Sequence, residues 1–376
     1  MLQDRTFIVL GIEHYNPLGI IRSLGEYGIE SIFIAIPGRA EVASTSKYVK
    51  KCHKVKDYVE GCKLLLEQYG NYPKDNLPIV ITSDDEQVQY MDEHYELFAG
   101  KFIFFNAGET GRITRYMNKY KILELASENG FKTLLTEVVK RGELPQKVPY
   151  PIITKAISPN VGGWKSDVFI CENQKELEEA YKKIQSPTVL LQQYLEKKNE
   201  LSLEGFSIEH GKQIFIAISI SHKYNIKGYY SPYSDIDNFK DKELYELVKN
   251  LFKKIRYEGI FEIDFLVGQD DSLYFSEINF RNSAWNYAAT CAGMNMQTLW
   301  AESMINGKIP QNAYHELDEK FTAMTEPIDY QKRVVEKGYS LEEWCKDFKN
   351  AKCKYYYNEK DLQPFFVMLE NNKILR

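Results

Sequence analysis

The sequence predicts a chain of mixed α/β and α+β class, in which a parallel, doubly wound domain precedes a part built on antiparallel sheets. Short apolar strands alternate with helical segments over about the first hundred residues, a pattern typical of parallel sheets. Longer strands joined by short turns follow in the second half of the chain, as in antiparallel hairpins. The length of 376 residues favours two or three domains, because one domain usually takes about 150 residues.

Composition and charge exclude several classes of protein. Hydrophobic residues make up 44% of the chain and charged residues 27%, which excludes disorder and fibrous repeats. The 48 basic and 53 acidic residues give a net charge of −5, which argues against nucleic acid or an anionic membrane as a partner. No run approaches the roughly eighteen apolar residues of a membrane span. Six cysteines without a CxxC pair and a polar start without a secretory signal predict reduced thiols and a cytoplasmic location.

The N-terminal segment is predicted to be Rossmann-like. Strands are expected at 6–10, 31–36, 77–82 and 101–105, and helices from Pro17 onward and over 62–69. The turn between Gly11 and Gly19 lacks the GxGxxG spacing that lets a pyrophosphate approach a helix start. We therefore expect a scaffold domain here rather than an NAD or FAD site.

The remaining two thirds of the chain have a different pattern of predicted helices and strands. Helices are expected at 118–129, 174–184 and 242–256, and strands at 152–157, 189–193, 201–209, 213–221, 260–267 and 273–279. Residues from Gln311 onward have a mixed pattern and contain no recognisable catalytic or binding motif.

A hairpin near residue 270 carries the strongest cluster of functional side chains. Because side chains alternate along a strand, Glu262 and Asp264 share one face, as do Glu277, Asn279 and Arg281. The residues expected to face the core are Ile263, Phe265, Phe275 and Ile278.

The turn of this hairpin fixes which residues oppose each other. A four-residue loop at 269–272 puts Asp264 opposite Glu277 and Glu262 opposite Asn279, about 5 Å apart. These carboxylates would repel one another without a cation, and their oxygens are the hard ligands that Mg²⁺ prefers. The alternative is an ordinary polar sheet face with solvated charges.

Two lysines and a glycine loop could contact phosphates. Lys119 lies near a helix start and Lys155 ends an apolar strand, where its charge needs a partner. Gly162 and Gly163 lie in a loop whose backbone amides could approach an anion. Taken singly, the lysines are also typical of a solvated surface and the loop of a plain turn.

A strand end near residue 193 could bind a nucleoside. Backbone groups around Gln192, Tyr194 and Leu195 could hydrogen-bond an adenine edge, and the Glu200 carboxylate could hold ribose hydroxyls. A plain strand-to-loop transition would give the same pattern.

The order of these features resembles the ATP-grasp superfamily, and within it the carboxylate–amine ligase group, carbamoyl-phosphate-synthase-like or D-aspartate-ligase-like. The run Glu-Ile-Asn-Phe-Arg at 277–281 is similar to the family's E-x-N-x-R signature. The resemblance covers about 112–310 and implies antiparallel sheets in two ATP-grasp subdomains after a pre-ATP-grasp domain. The implied parts are 1–111 (pre-ATP-grasp), 112–190 (lid subdomain), 191–310 (catalytic subdomain) and 311–376 (C-terminal extension).

The resemblance also implies roles for the singled-out residues. They are, for ATP, Lys119, Lys155, Gly162, Gly163, Gln192, Tyr194, Leu195 and Glu200; for the metal, Asp264, Glu277 and Asn279; and for catalysis, Arg281 and Lys155. The sequence departs from the family pattern at 282–285, which replaces a glycine-rich continuation and bears on the substrate.

The implied activity is Mg·ATP-dependent (or Mn²⁺-dependent) ligation of a carboxylate to an amine through an acylphosphate, with release of ADP and phosphate. The expected partners are an amino acid or other small carboxylate and an amine, with a homodimer as an open alternative to a monomer. His222 and Lys223 could bind phosphate or the acceptor, or form a solvated strand end. The alternative activities are a carboxylase or kinase on the same nucleotide site, or a non-catalytic nucleotide-binding module.

Overall fold

The computed structural model describes residues 2–38, 40–158, 164–226 and 230–371. Its N-terminal part is a parallel sheet in the order β3-β2-β1-β4. The strands are β1 (Phe7–Ile12), β2 (Ser31–Ile36), β3 (Val49–Lys54) and β4 (Ile79–Thr82). The helices of this part are α1 (Tyr15–Glu26), α2 (Tyr58–Tyr69), α3 (Asp85–Glu93) and α4 (Tyr95–Phe98). The predicted mixture of parallel and antiparallel sheets is confirmed.

Helices cover both faces of this sheet, which is why β1 is apolar at successive positions. Phe7 and Val9 belong to the core on the α1 side, whereas Ile8 and Leu10 belong to a second core on the α2 side. Because parallel strands end at the same edge, the starts of α1 and α3 lie together there.

The prediction of a fourth strand at 101–105 is wrong. In the described chain this segment forms a single bridge between Ile103 and Ile79. The opposite edge holds β3 instead, which the sequence did not reveal because its residues are polar and mostly exposed at the surface.

The next part of the chain forms a smaller antiparallel sheet in the order β5-β8-β6-β7. Its elements are α5 (Arg112–Met117), α6 (Lys119–Glu128), β5 (Thr136–Lys140), β6 (Ile152–Ala156), β7 (Ile170–Cys171), α7 (Gln174–Tyr181) and β8 (Thr188–Gln193). Leu177 and Ala180 of α7 pack on its apolar face with Val189 and Leu191. The predicted boundary between residues 190 and 191 falls inside β8, so we propose that it lies after Gln193.

A large sheet follows, in the order β13-β12-β9-β10-β11-β14-β15. Its first strands and the helix that packs on it are β9 (Asn199–Ile208), β10 (Gln213–His222), β11 (Tyr233–Asp237), α8 (Lys242–Ile255), β12 (Gly259–Val267) and β13 (Leu273–Asn279). Val248, Leu251 and Phe252 of α8 are fully buried in the main core.

The C-terminal residues complete the large sheet. The remaining elements are α9 (Tyr287–Cys291), α10 (Met296–Asn306), β14 (Phe321–Met324), α11 (Glu326–Asp329), a π-helical segment (Tyr330–Glu336), α12 (Leu341–Asn350), β15 (Cys353–Lys354) and α13 (Gln363–Asn371). β14 pairs with β11, so the last part of the chain contributes strands to the large sheet. None of the described helices is long and apolar enough to cross a membrane.

A buried ion pair ties the C-terminal segment to the N-terminal part. Arg22 of α1 donates from Nε to Asp361 Oδ2 at 3.0 Å, and the two side chains are 0% and 1% exposed. The guanidinium also donates to the carbonyl oxygens of Tyr355 and Tyr356. Asp361 in turn accepts from the Ser46 hydroxyl at 2.8 Å. This network fixes the position of α1 relative to the chain end.

We predict that Asp361→Ala lowers the free energy of unfolding by about 3–5 kcal/mol, because it leaves the Arg22 guanidinium buried without a counter-charge. Urea unfolding followed by circular dichroism measures the loss. The control is Glu41→Ala, whose partner Lys54 is 65% exposed, so this variant should lose much less stability than Asp361→Ala. Equal losses for the two variants would contradict the prediction.

Candidate active site

A cavity of about 580 Å³ lies where the edge of the N-terminal sheet meets α6 and the large sheet. Charged and polar side chains line one portion of it: Asp85, Lys119, Glu200, Ser202, His222, Glu262, Asp264, Glu277, Asn279 and Arg281. The remaining walls include aromatic and apolar side chains, among them Tyr15, Tyr116, Tyr230 and Trp285. Its volume lies within the range of small-molecule sites, about 300–1,000 Å³.

The predicted pairing across the acidic hairpin is confirmed, although the turn differs by one residue. Glu262 lies opposite Asn279 and Asp264 opposite Glu277, while Val267 pairs with Leu273 instead of Gly268. A β-bulge between the two registers absorbs the difference.

The bulge places Ser276 as the extra residue between Phe275 and Glu277. It explains why Phe275 and Ile278 are both buried although they are three residues apart. Glu277 therefore faces the cavity beside Asp264 while a phenylalanine two residues earlier faces the core.

The neighbouring strand β9 extends the acidic face. Ser202 lies opposite Asp264, and its hydroxyl donates to Oδ1 at 2.5 Å. Asn279 Nδ2 donates to Glu262 Oε2 at 3.0 Å and to Asp264 Oδ2 at 3.3 Å. Burial, with repulsion from neighbouring carboxylates, raises the pKa of both Glu262 and Asp264 well above the usual range.

Lys119 provides positive charge directly beside this face. The Asn118 side chain caps α6, and Lys119, the first residue of the helix, forms an ion pair with Glu277. Attraction to Lys119 lowers the pKa of Glu277 to about 2. Burial alone would lower the pKa of Lys119, but attraction to Glu277 outweighs it, so this pKa lies above its ordinary value.

Arg281 lies at the boundary between the acidic face and the N-terminal part. Its Nε donates to Asp85 Oδ1 at 3.1 Å, and its Nη2 donates to Asn279 Oδ1 at 3.2 Å. Asp85 is the first residue of α3, where the helix dipole favours a negative charge. The guanidinium is thus held in the cavity by one residue at the start of α3 and one at the end of β13.

Lys155 is half-buried on β6, and its Nζ donates to Gln192 Oε1 at 2.9 Å. Burial and repulsion from Lys119 lower the pKa of Lys155 to about 8. A lysine whose pKa is lowered by burial and by a second lysine is suited to binding an anionic ligand. Neither Lys155 nor Gln192 is among the residues that line the cavity itself.

The other predicted nucleotide residues are dispersed. Glu200 lines the cavity and forms an ion pair with Lys197. Tyr194 and Leu195 follow β8 and are half-buried, but among the described residues they are not part of the cavity wall. Gly162 and Gly163 lie outside the described residues.

Comparison with known proteins identifies the fold. No family model matches the sequence, and no curated protein matches it. The structure of N5-carboxyaminoimidazole synthetase from Staphylococcus aureus complexed with ADP matches with a TM-score of 0.66 and 17% identity, over 89% of this chain and 86% of that one. L-amino acid ligase from Bacillus licheniformis matches with a TM-score of 0.64 and 14% identity, over 86% of this chain and 80% of the other. The chain has the ATP-grasp fold.

A third structure of the same fold supports this assignment. Biotin carboxylase from Campylobacter jejuni, in its complex with β,γ-ATP, matches with a TM-score of 0.63 and 15% identity. The match covers 84% of this chain and 75% of that chain. The resemblance inferred from the order of motifs is thus confirmed at the level of the ATP-grasp fold.

The donor atoms on the acidic face of this ATP-grasp fold suit a hard divalent cation. Among the described residues, no group of three His, Cys, Asp or Glu side chains is placed to hold a metal ion alone. Asp264, Glu277 and Asn279 nevertheless offer carboxylate and amide oxygens on one face. Mg²⁺ fits such a set, because it usually takes one or two carboxylates and completes its shell with water and substrate phosphates.

Sequence reasoning missed several residues of the cavity. Asp85 was visible only as part of an acidic turn after the third strand, and Ser202 only as part of the strand that becomes β9. Glu204 was also missed: it lies opposite Glu262 on the same face, is fully buried, and accepts hydrogen bonds from Ser283 and Asn286. Burial raises the pKa of Glu204 to about 7. An alternation of polar residues on β9 was the available signal.

We predict that Lys119→Met destabilises the protein more at pH 7 than at pH 3. The pKa of Glu277 is about 2 instead of 4.5, so the stability from this pair is present above pH 4.5 and is lost as the pH falls toward 2. Urea unfolding at pH 7, 5 and 3 measures the difference between wild type and variant, which should shrink as the pH falls.

The matched control is Lys121→Met, two residues further along α6. Lys121 and its partner Glu124 are each 46% exposed, so this variant should change stability little at any pH. A Lys119→Met difference that stays constant from pH 7 to pH 3 would contradict the assigned pairing.

Proposed function

We propose that the chain is a Mg·ATP-dependent carboxylate–amine ligase that forms an amide through an acylphosphate. The observation that carries this proposal is the meeting of opposite charges in one cavity. Lys119 and Arg281 flank a face that holds Asp264, Glu277 and Asn279. Cations suited to phosphate oxygens thus lie beside oxygens suited to Mg²⁺, the combination that phosphoryl transfer needs.

The nucleotide is proposed to lie between the small sheet and the large sheet. Lys155, with its pKa of about 8, gains a counter-charge when phosphate binds beside it. Gln192, Tyr194 and Leu195 are assigned to the adenine, and Glu200 to the ribose. Gly162 and Gly163 are assigned to the phosphates by the same resemblance.

Asp264, Glu277 and Asn279 are the residues that would hold the metal. A Mg²⁺ ion held by them would supply positive charge to the phosphates. Lys119 lies directly against Glu277, so its ammonium is available to phosphate oxygens at the same place. Arg281 can give two parallel hydrogen bonds to the acyl carboxylate or to the moving phosphoryl oxygens.

The proposed reaction has two steps. A carboxylate oxygen attacks the γ-phosphorus, the bond to the β-phosphate oxygen breaks, and ADP leaves. The amine nitrogen then attacks the acyl carbon, phosphate leaves with the bonding pair, and the nitrogen loses a proton to form the amide. The residues act by positioning and by charge, so no covalent nucleophile is required.

Two further assignments belong to this proposal. The partners are a small carboxylate and an amine, since the cavity has the volume of a small-molecule site. The location is the cytoplasm, because all six cysteines are free.

Hydroxylamine trapping tests the proposed function. With Mg²⁺, ATP and a panel of carboxylates, we expect ADP release and a hydroxamate that depend on both the metal and one class of carboxylate. Coupled ADP assays and the ferric hydroxamate colour measure the two products. ATP turnover with bicarbonate alone would favour a carboxylase, turnover without a hydroxamate would favour a kinase, and nucleotide binding without turnover would favour a non-catalytic module.

We predict that Arg281→Lys lowers kcat/KM at least about a hundredfold, because lysine keeps the charge but loses the two-pronged donor geometry. Binding of ATP, followed by intrinsic fluorescence, should change little. Arg115→Lys is the control, since Arg115 is exposed at the surface of α5 and should leave both values unchanged. An equal loss of nucleotide affinity and turnover would contradict a role in the reaction step.

A further inference from the structure

The cavity changes character on the far side of Arg281. There its wall is formed by His14, Tyr15, Tyr230, Ala284, Trp285 and Ile328. These residues come from the start of α1, from the segment before β11, from the segment that follows Arg281, and from α11. They are mainly aromatic or apolar, in contrast to the acidic face on the other side.

The aromatic rings of this wall are packed against one another. Trp285 contacts Tyr230 edge-on with ring centroids 5.4 Å apart, and contacts Tyr355 behind it at 5.5 Å. Tyr355 also packs against Tyr15 at 5.6 Å and is 1% exposed. Such edge-on contacts stabilise a fixed arrangement, so the wall is formed before any ligand binds.

Hydrogen bonds fix the segment that carries Trp285. Its backbone N–H donates to the Ser283 hydroxyl at 3.0 Å, and that hydroxyl donates to the buried Glu204. Tyr355 donates from its hydroxyl to the Trp285 carbonyl oxygen at 3.2 Å. The buried Glu204 carboxylate therefore positions Trp285 through Ser283.

A pair of opposite charges stands where the aromatic wall meets the acidic face. Arg281 and Asp85 lie 3.1 Å apart, with side chains 19% and 21% exposed. An α-amino acid carries a carboxylate and an ammonium at a similar spacing. It can place the carboxylate against the guanidinium and the ammonium against the Asp85 carboxylate, since both contacts are charge-assisted.

We infer that the carboxylate substrate is an α-amino acid with an aromatic or bulky aliphatic side chain. Its carboxylate faces Arg281, its ammonium faces Asp85, and its side chain packs on Trp285 and Tyr230. The inference rests on the proposed ligase function and adds the class of the acid. Burial of an apolar side chain against this wall is the source of the selectivity.

The first experiment compares acids while hydroxylamine serves as the amine throughout, so that only the acid site is read. Phenylalanine and leucine should exceed alanine and aspartate in kcat/KM for hydroxamate formation by about tenfold or more. 3-Phenylpropionate, which lacks the ammonium, should fall about tenfold or more below phenylalanine.

The second experiment uses variants of the wall. Trp285→Ala should lower kcat/KM for phenylalanine by about tenfold or more while changing that for alanine much less. Trp285→Phe should restore most of the loss, and Tyr230→Ala gives an independent measure if Trp285→Ala fails to fold. Asp85→Asn should reduce the ratio of kcat/KM for phenylalanine to kcat/KM for 3-phenylpropionate. Tyr27→Ala, at an exposed site after α1, is the matched control and should behave as wild type.

The outcomes separate the two proposals. Hydroxamate formed with small or acidic carboxylates but not with apolar amino acids would overturn this inference and leave the ligase function standing. A uniform effect of Trp285→Ala on every acid would also overturn it. Absence of hydroxamate with every carboxylate would overturn the ligase function, and this inference with it.

Discussion

Crowding of negative charge on one sheet face is the constraint on which the surrounding structure depends. Glu204, Glu262, Asp264 and Glu277 come from three adjacent strands and share that face. Like charges at this spacing repel, and burial adds to the cost of keeping them ionised. The elements around the face supply compensation: α6 brings Lys119 to Glu277, and the segment after Arg281 brings hydroxyl and amide donors to Glu204.

The crowding is tolerated because the face belongs to a rigid layer. Ile263, Phe265 and Phe275 are almost fully buried on the opposite side of the same hairpin. Side chains fixed in this way cannot move apart to relieve repulsion, so the compensation must come from donors and cations that approach them. That requirement explains why the N-terminal part and α6 both converge on this point.

Much of the fold and part of the site could be predicted from the sequence, because local patterns determine them. Strand periodicity was enough to predict that Asp264 pairs with Glu277. The bulge at Ser276 could not be predicted, because a bulge changes which face the following side chains point to without changing the composition of the strand. The contact of Asp85 with Arg281 spans 196 residues, and no local pattern reports such a distance. The polar strand β3 was not predicted either, because an edge strand lacks the apolar pattern of a central strand.

The buried pair of Arg22 with Asp361 has a consequence for how the chain is made. The two residues are 339 positions apart, so the ribosome synthesises Asp361 long after Arg22. Until then the guanidinium on α1 has no carboxylate partner, and the helix that begins at the cavity edge is incompletely anchored. The packing of α1 is therefore completed only after the segment that carries Asp361 has been synthesised and has folded against it.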